Sequence, residues 1–374
     1  MWFSASADPT LPAAACLPRA LLAVLLAMAL GLIAGPRLIR WLARRCPERI
    51  ATDSATLNEL HRHKAATPSM GGLLIILAAT VAIGVFCSPT APFTWLALLT
   101  LIGFGGIGLA DDLRKLRRGR GWSPRTKLAF QAAVSTLIAV AAYQAHAQAG
   151  NAGTLQVPFF AVEWSIGLWY IPFATLVLVA ASNSVNLTDG LDGLAGGCLL
   201  CSLFSLFAVA FALSSPFWSA WFDLPAAPHA AEMVVVAAAV IGALLAFLWF
   251  NCHPAQVFMG DCGSLPLGAV LGLIAIACRQ ELLLLVIGGV FAVETLSVIL
   301  QVASFRTLGR RLFRCAPLHH HFQFAGWPET KIVVRFWIAA FICAGVGLFG
   351  VARQPLSQQA RLPDASTQVA EFAP

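Results

Sequence analysis

Charged residues are scarce in this chain of 374 residues: Asp, Glu, Lys and Arg together make up 11% of it, against 59% hydrophobic residues. Soluble domains carry about a quarter charged residues, so a chain surrounded by water is excluded and lipid is expected as the main solvent. No repeat of about 20 to 50 residues is present, which excludes solenoids and propellers. No polar linker divides the chain into soluble modules either, and we read one membrane domain. The ten cysteines are scattered through apolar segments and imply no disulfide framework. Cys198 and Cys201 form a C-x-x-C, but with no second pair and no βαβ pattern nearby they read as packing.

What is present is a succession of apolar stretches long enough to cross hydrocarbon, which takes about 20 helical residues at 1.5 Å each. We count ten, over 18–36, 71–88, 94–110, 128–146, 166–185, 194–214, 231–249, 263–278, 281–304 and 333–351. The expected fold is therefore an all-α polytopic membrane protein. Segment 21–34 reads as part of the first helix and not as a signal peptide. Only Arg19 precedes it, whereas Arg37, Arg40, Arg44 and Arg45 follow. A small hairpin is expected within 147–165. Residues 353–374 lose the apolar pattern and are expected to form a disordered tail. The ten-helix membrane domain proper then spans 18–352, with 1–17 as an outer N-terminal segment.

The net charge of +7 could suggest nucleic acid, but the placement of the charges argues against it. Of the 24 Lys and Arg, seven fall in 37–64, seven in 114–127 and six in 306–335. If alternate loops face the cytoplasm, these three do, and both termini lie outside. The basic charge is mainly topological, with attraction to anionic lipid and phosphate as a second use.

Charged groups near bilayer depth cost a few kcal/mol, so acids at helix ends invite a functional reading. Asp111 and Asp112 end the third span, Asp189 and Asp192 follow the fifth, and Asp261 precedes the eighth. All five fall on the face that the basic residues select. Asp189 and Asp192, three apart in Asn186-Leu187-Thr188-Asp189-Gly190-Leu191-Asp192-Gly193, are expected on one side of a helical turn. Adjacent Asp111 and Asp112 would point about 100° apart and divide their duties. Clustered carboxylates suit Mg²⁺, a hard ion that takes oxygen ligands and shares its shell with substrate phosphates. Cys252, His253 and Cys262 are not spaced as zinc ligands. Lys64 precedes the second span, and His319, His320 and His321 occupy the last basic loop. Three consecutive histidines cannot all face one ion; one or two are expected at phosphate while another packs or caps.

These motifs resemble the polyprenyl-phosphate N-acetylhexosamine-1-phosphate transferase superfamily (glycosyltransferase 4). The resemblance rests on Thr67 to Gly72, Asp111-Asp112 with Arg125 and Lys127, Asn183 to Ala195, Phe247 to Asn251, Pro254 to Leu267, Glu294 to Val302, Ala316 to Trp327 and Arg335-Phe336-Trp337. Order and spacing agree from about 20 to 352. Pro317-Leu318-His319-His320-His321-Phe322 and Gly326-Trp327-Pro328-Glu329 are similar to the branch that transfers phospho-N-acetylmuramoyl-pentapeptide. The resemblance implies ten transmembrane helices in a bacterial inner membrane, with the site facing the cytoplasm. It implies UDP-N-acetylmuramoyl-pentapeptide as donor, undecaprenyl phosphate as acceptor, Mg²⁺ as cofactor, lipid I and UMP as products, and room for a homodimer. Metal binding and chemistry fall on Asp111, Asp112 and Asp261. Substrate contacts fall on Lys64, Asn186, Asp189, Asp192, Asn251 and Phe258, with His319, His320 and His321 beside the substrate. Ser69 and Ala66 depart from the common pattern, but no carboxylate is missing. Transfer of N-acetylglucosamine 1-phosphate is the nearest alternative. A secondary transporter is a more distant one, disfavoured because the acids gather at one face and not at the midplane.

Overall fold

The computed structural model describes residues 13–46, 67–160, 162–221, 224 and 227–352. Lys64, the segment before residue 13 and the tail 353–374 lie outside the described residues. In hydrocarbon every backbone N–H and C=O has to be satisfied within its own segment, and the apolar stretches accordingly form helices. They are α1 (Ala13–Arg45), α2 (Gly72–Phe86), α3 (Pro92–Arg118), α4 (Pro124–Gln148), α5 (Tyr170–Thr188), α6 (Leu194–Ser214), the short α7 (Pro216–Trp221), α8 (Ala230–Asn251), α9 (Asp261–Ala277), α10 (Glu281–Ile287), α11 (Gly289–Leu308), the short α12 (Leu318–Phe324) and α13 (Glu329–Ala352). The protein is an all-α polytopic membrane protein. Eight of the described helices are long and apolar enough to span, and α2 and α9 are shorter apolar helices of 15 and 17 residues.

The ninth expected stretch, 281–304, is not one helix. It breaks at Gly288 into α10 and α11. Two consecutive glycines cost about 1 kcal/mol each in a helix interior relative to alanine, which makes Gly288-Gly289 the natural place for a bend. The pair also has a packing use, since a Cβ on Gly289 would lie 2.7 Å from Cys343 Sγ on α13. The hairpin is present: β1 (Thr154–Val157) pairs antiparallel with β2 (Val162–Ser165), Thr154 opposite Ser165. All ten cysteines are free.

α8 and α9 form the centre of the bundle. α1 lies along α8, α3 and α5 flank α9, and α6 bridges α8 to α13. From Cys262 to Ala277 every residue of α9 is buried. With lipid outside, helices associate through close packing of small residues. α1 therefore turns Cys16, Ala20, Ala23 and Ala27 inward. On α8, a Cβ at Gly242 would lie 2.3 Å from the Val24 carbonyl oxygen and 2.8 Å from its Cα.

The bundle has two polar ends. At one, Arg19 meets Glu232 at 2.9 Å, whose other oxygen accepts from Ser88 N. Arg279 reaches Glu163 on the hairpin, and the Tyr170 hydroxyl donates to Glu281. At the other end are the aspartates. Exposed tryptophans mark both, Trp95, Trp164 and Trp169 at the first and Trp41 and Trp249 at the second, as expected of interfacial belts.

Replacing Gly242 by Val is expected to cost about 1–3 kcal/mol through overpacking against the α1 backbone. Gly345→Ala, where nothing lies within 4 Å, is the control. Thermal unfolding in detergent micelles reads both, and only the first midpoint should fall.

Candidate active site

α3 and the start of α9 touch because α3 has no side chain at the crossing. A Cβ on Gly108 would lie 2.2 Å from the Asp261 carbonyl oxygen. One turn further along α3, Asp111 and Asp112 come to rest beside Asp261, all three little exposed. Asp261 is the first residue of α9, where the partial positive charge of the helix N-terminus favours a carboxylate.

The oxygens of Asp111, Asp112 and Asp261 all lie within 4.8 Å of one another. Lys115, three and four residues along α3, places Nζ 3.0 Å from Asp111, 3.3 Å from Asp112 and 2.8 Å from Asp261. Lys127 of α4 reaches the same Asp261 oxygen at 2.5 Å and Asp111 at 3.8 Å. Asp111 and Asp112 both face Lys115. Their outer oxygens do differ. Asp111 accepts from Trp122 N at 2.6 Å, holding the α3–α4 turn, and Asp112 accepts from Cys262 N at 3.0 Å, holding the start of α9. Three carboxyl groups face two lysine side chains, so acids outnumber bases in the cluster. The donor set is entirely hard oxygen, which fits a divalent cation such as Mg²⁺ or Mn²⁺ and not one that prefers thiolate. Cys262 is buried while Cys252 is exposed, and no zinc-type grouping of the two with His253 is formed among the described residues.

Asn186, in the last turn of α5, donates to Asp261 Oδ1 and to Ser264 Oγ, both at 2.8 Å. Asp189 and Asp192 do not share a helical turn. α5 ends at Thr188, and Gly193 takes φ +76° before α6 begins, so both aspartates lie in a tight turn. Asp189 stays half-buried, whereas buried Asp192 accepts from Ala255 N at 3.1 Å and lies 3.1 Å from His253 Nδ1. Glu329 grips the same turn from α13 by accepting from Asp192 N at 2.8 Å, and Trp337 Nε1 donates to Gly193 O. Asn251 is buried, accepting from Gly193 N at 3.1 Å and donating to Val257 O at 2.9 Å. It thus clamps the 189–193 turn to the 252–260 loop. That loop is sewn to the Thr67–Gly72 motif by Phe258 N to Pro68 O, Gly71 N to Phe258 O and Gly72 N to Met259 O. Phe258 sits half-buried between these bonds.

The three histidines divide as their neighbours dictate. His319 is fully buried. Its Nδ1 lies 3.3 Å from Glu294 Oε1, and its Nε2 faces Gly190, where a Cβ would be 2.3 Å away. His320 Nδ1 lies 2.8 Å from Gln323 Oε1, and His321 Nδ1 accepts from Arg314 N. Glu294, fully buried on α11, also accepts the backbone N–H of Leu318 at 2.7 Å and of His319 at 3.1 Å, starting α12.

Reasoning from sequence alone did not single out Lys115; it weighed His253 only as a zinc ligand and met Glu294 and Glu329 only as members of motifs, with no role. Lys115 had a signal in its spacing of three and four from the aspartate pair. The other three act across separations of 24 to 137 residues, which no local pattern carries.

Carboxylates and lysines clustered at one end of an all-α membrane bundle offer hard-oxygen ligands and positive charge, which suit phosphorylated substrates. The model of glycosyl transferase family 4 matches residues 94–279, which supports a transferase that moves a sugar phosphate onto a polyprenyl phosphate. The match includes Asp111, Asp112, Lys115, Lys127, Asn186, Asp189, Asp192, Asn251, Phe258 and Asp261, and it ends before Glu294 and the histidines.

Glu294→Ala would leave two backbone N–H groups without their acceptor, at about 1–3 kcal/mol each when buried. We expect transfer to fall at least about tenfold and α12 to become protease-sensitive. Glu294→Gln, which keeps an acceptor oxygen, should lie between Ala and the native protein in both assays.

Proposed function

We propose that this enzyme transfers phospho-N-acetylmuramoyl-pentapeptide from its uridine nucleotide to undecaprenyl phosphate, giving lipid I and UMP. It would do so at the cytoplasmic face of a bacterial inner membrane. The observation that carries the reading is the junction of Asp111, Asp112 and Asp261 with Lys115 and Lys127 at one end of the bundle. The Pro317-to-Phe322 run supports the choice of sugar. It stands beside the 189–193 turn, held there by Glu294, so a histidine loop particular to this branch borders the site.

Asp111, Asp112 and Asp261 would hold Mg²⁺, which when bound would supply charge neutralisation at the donor diphosphate. The chain's own residues have the following tasks. An oxygen of the lipid phosphate forms a bond to the phosphorus that carries the sugar, and the bond from that phosphorus to the UMP oxygen breaks. Lys115 and Lys127 supply positive charge where oxygens gain negative charge. Asp111 or Asp112, buried and directed into the cluster, orients the acceptor or takes its remaining proton. Phe258 offers an aromatic face to uracil. Asn186, bonded to Asp261, and Asp189 would contact the nucleotide. Lys64 is assigned to the nucleotide. Asn251 and Asp192 serve the nucleotide by holding the loops in place.

Purified protein with polyprenyl phosphate and each of the two UDP-sugars tests the reading. Lipid product is expected from the N-acetylmuramoyl-pentapeptide donor, falling by at least about a thousandfold in Asp261→Ala. Product from the N-acetylglucosamine donor alone would replace the substrate and keep the chemistry.

A further inference from the structure

α1 is longer than a bilayer requires. Arg19 and Arg37 bound its apolar run, and eighteen steps at 1.5 Å place them about 27 Å apart, close to the hydrocarbon thickness of about 30 Å. Past Arg37 the helix continues to Arg45. In this extension Arg37, Arg40, Trp41, Arg44 and Arg45 are exposed and together line one cavity of about 480 Å³. Leu42 and Cys46 are buried on the opposite side.

Two features distinguish this face from a run of basic residues that merely orients a helix. First, Ile33, Arg37, Arg40 and Arg44 follow i, i+4, i+7 and i+11, a single stripe. Ile33 is 66% exposed, so this stripe passes from lipid-facing apolar surface to guanidinium groups without a break. Second, among the described residues none of the four arginines has a carboxylate partner. Arg37 and Arg40 reach only the carbonyls of Ile33 and Pro36, and Arg45 lies over the Trp41 ring at 5.5 Å. Four guanidinium groups around one cavity repel each other unless an anion lies among them. Guanidinium forks match phosphate oxygens, and an exposed indole suits headgroup depth.

We propose that the Arg37–Arg45 face binds the phosphate headgroup of an anionic phospholipid, with the acyl chains along Ile33 and the exposed side of α1. The site adjoins the candidate active site through the chain itself, because Ser69 N donates to Cys46 O at the end of α1. It does not depend on which sugar is transferred.

The full chain, equilibrated with vesicles of equal phosphatidylglycerol and phosphatidylcholine and then extracted, is assayed for retained lipid by mass spectrometry. Phosphatidylglycerol should be retained in excess. Replacing Arg37, Arg40, Arg44 and Arg45 by Gln should cut the excess at least about fivefold. Removing the four exposed arginines Arg117, Arg118, Arg120 and Arg310 should not. In parallel, the part of the fluorescence lost in Trp41→Phe should be quenched more by brominated phosphatidylglycerol than by brominated phosphatidylcholine, a readout that leaves every arginine in place. Equal quenching by the two lipids, or equal losses from both arginine sets, would overturn the proposal. So would displacement of the phosphatidylglycerol by stoichiometric polyprenyl phosphate, which would assign the face to the acceptor.

Discussion

Carboxylates held out of water need opposite charge within a few ångströms, and at the end of this bundle three share that need. Lys115 meets it for all of them and Lys127 for two. Lys127 is little exposed, whereas Lys115 keeps 45% of its side chain exposed, so water screens part of its attraction. The cluster exists because α3 and α9 approach at Gly108, closer than any side chain would permit. Around the cluster each further group is placed by a hydrogen bond: Trp122 by Asp111, the start of α9 by Asp112, and Asn186 by its bonds to Asp261 and Ser264. The electrostatic centre and the helix packing are therefore one arrangement.

Such a centre suits phosphoryl chemistry because its charges can be reassigned. The two lysines beside the aspartates are the groups a diphosphate would attract, and the aspartate oxygens are hard donors for a divalent ion. Farther out, the 189–193 turn is held by Asn251, His253, Glu329, Trp337 and His319, from separate parts of the chain. This turn lies at the aspartate end of the bundle without belonging to a helix. Bonds fix its shape while Asp189 is left half-buried at its edge.

Much of this arrangement is legible in the amino-acid sequence. The apolar runs mark the helices closely, since in lipid the choice of helix is forced and only the ends are open. The five aspartates share one face with the basic loops, and the charge pattern alone selects that face. What could not be read has common causes. The bend at Gly288 depends on the approach of α13. The turn at Asp189–Asp192 replaces a helical continuation because Gly193 adopts a positive φ. Asn251 and His319 look like substrate contacts by type, yet both are buried, and what buries them is distant in sequence: Gly193 for one, Glu294 and Gly190 for the other.

The central claim is that Asp111, Asp112 and Asp261 act together as one divalent-cation centre. Titration of the purified protein with Mn²⁺, followed by electron paramagnetic resonance, tests it without reference to any substrate. The account predicts a single saturable site that Mg²⁺ displaces. Asn at any of the three positions should weaken it at least about tenfold, since each carboxylate contributes a charge as well as a ligand. Native affinity in all three Asn variants would contradict it.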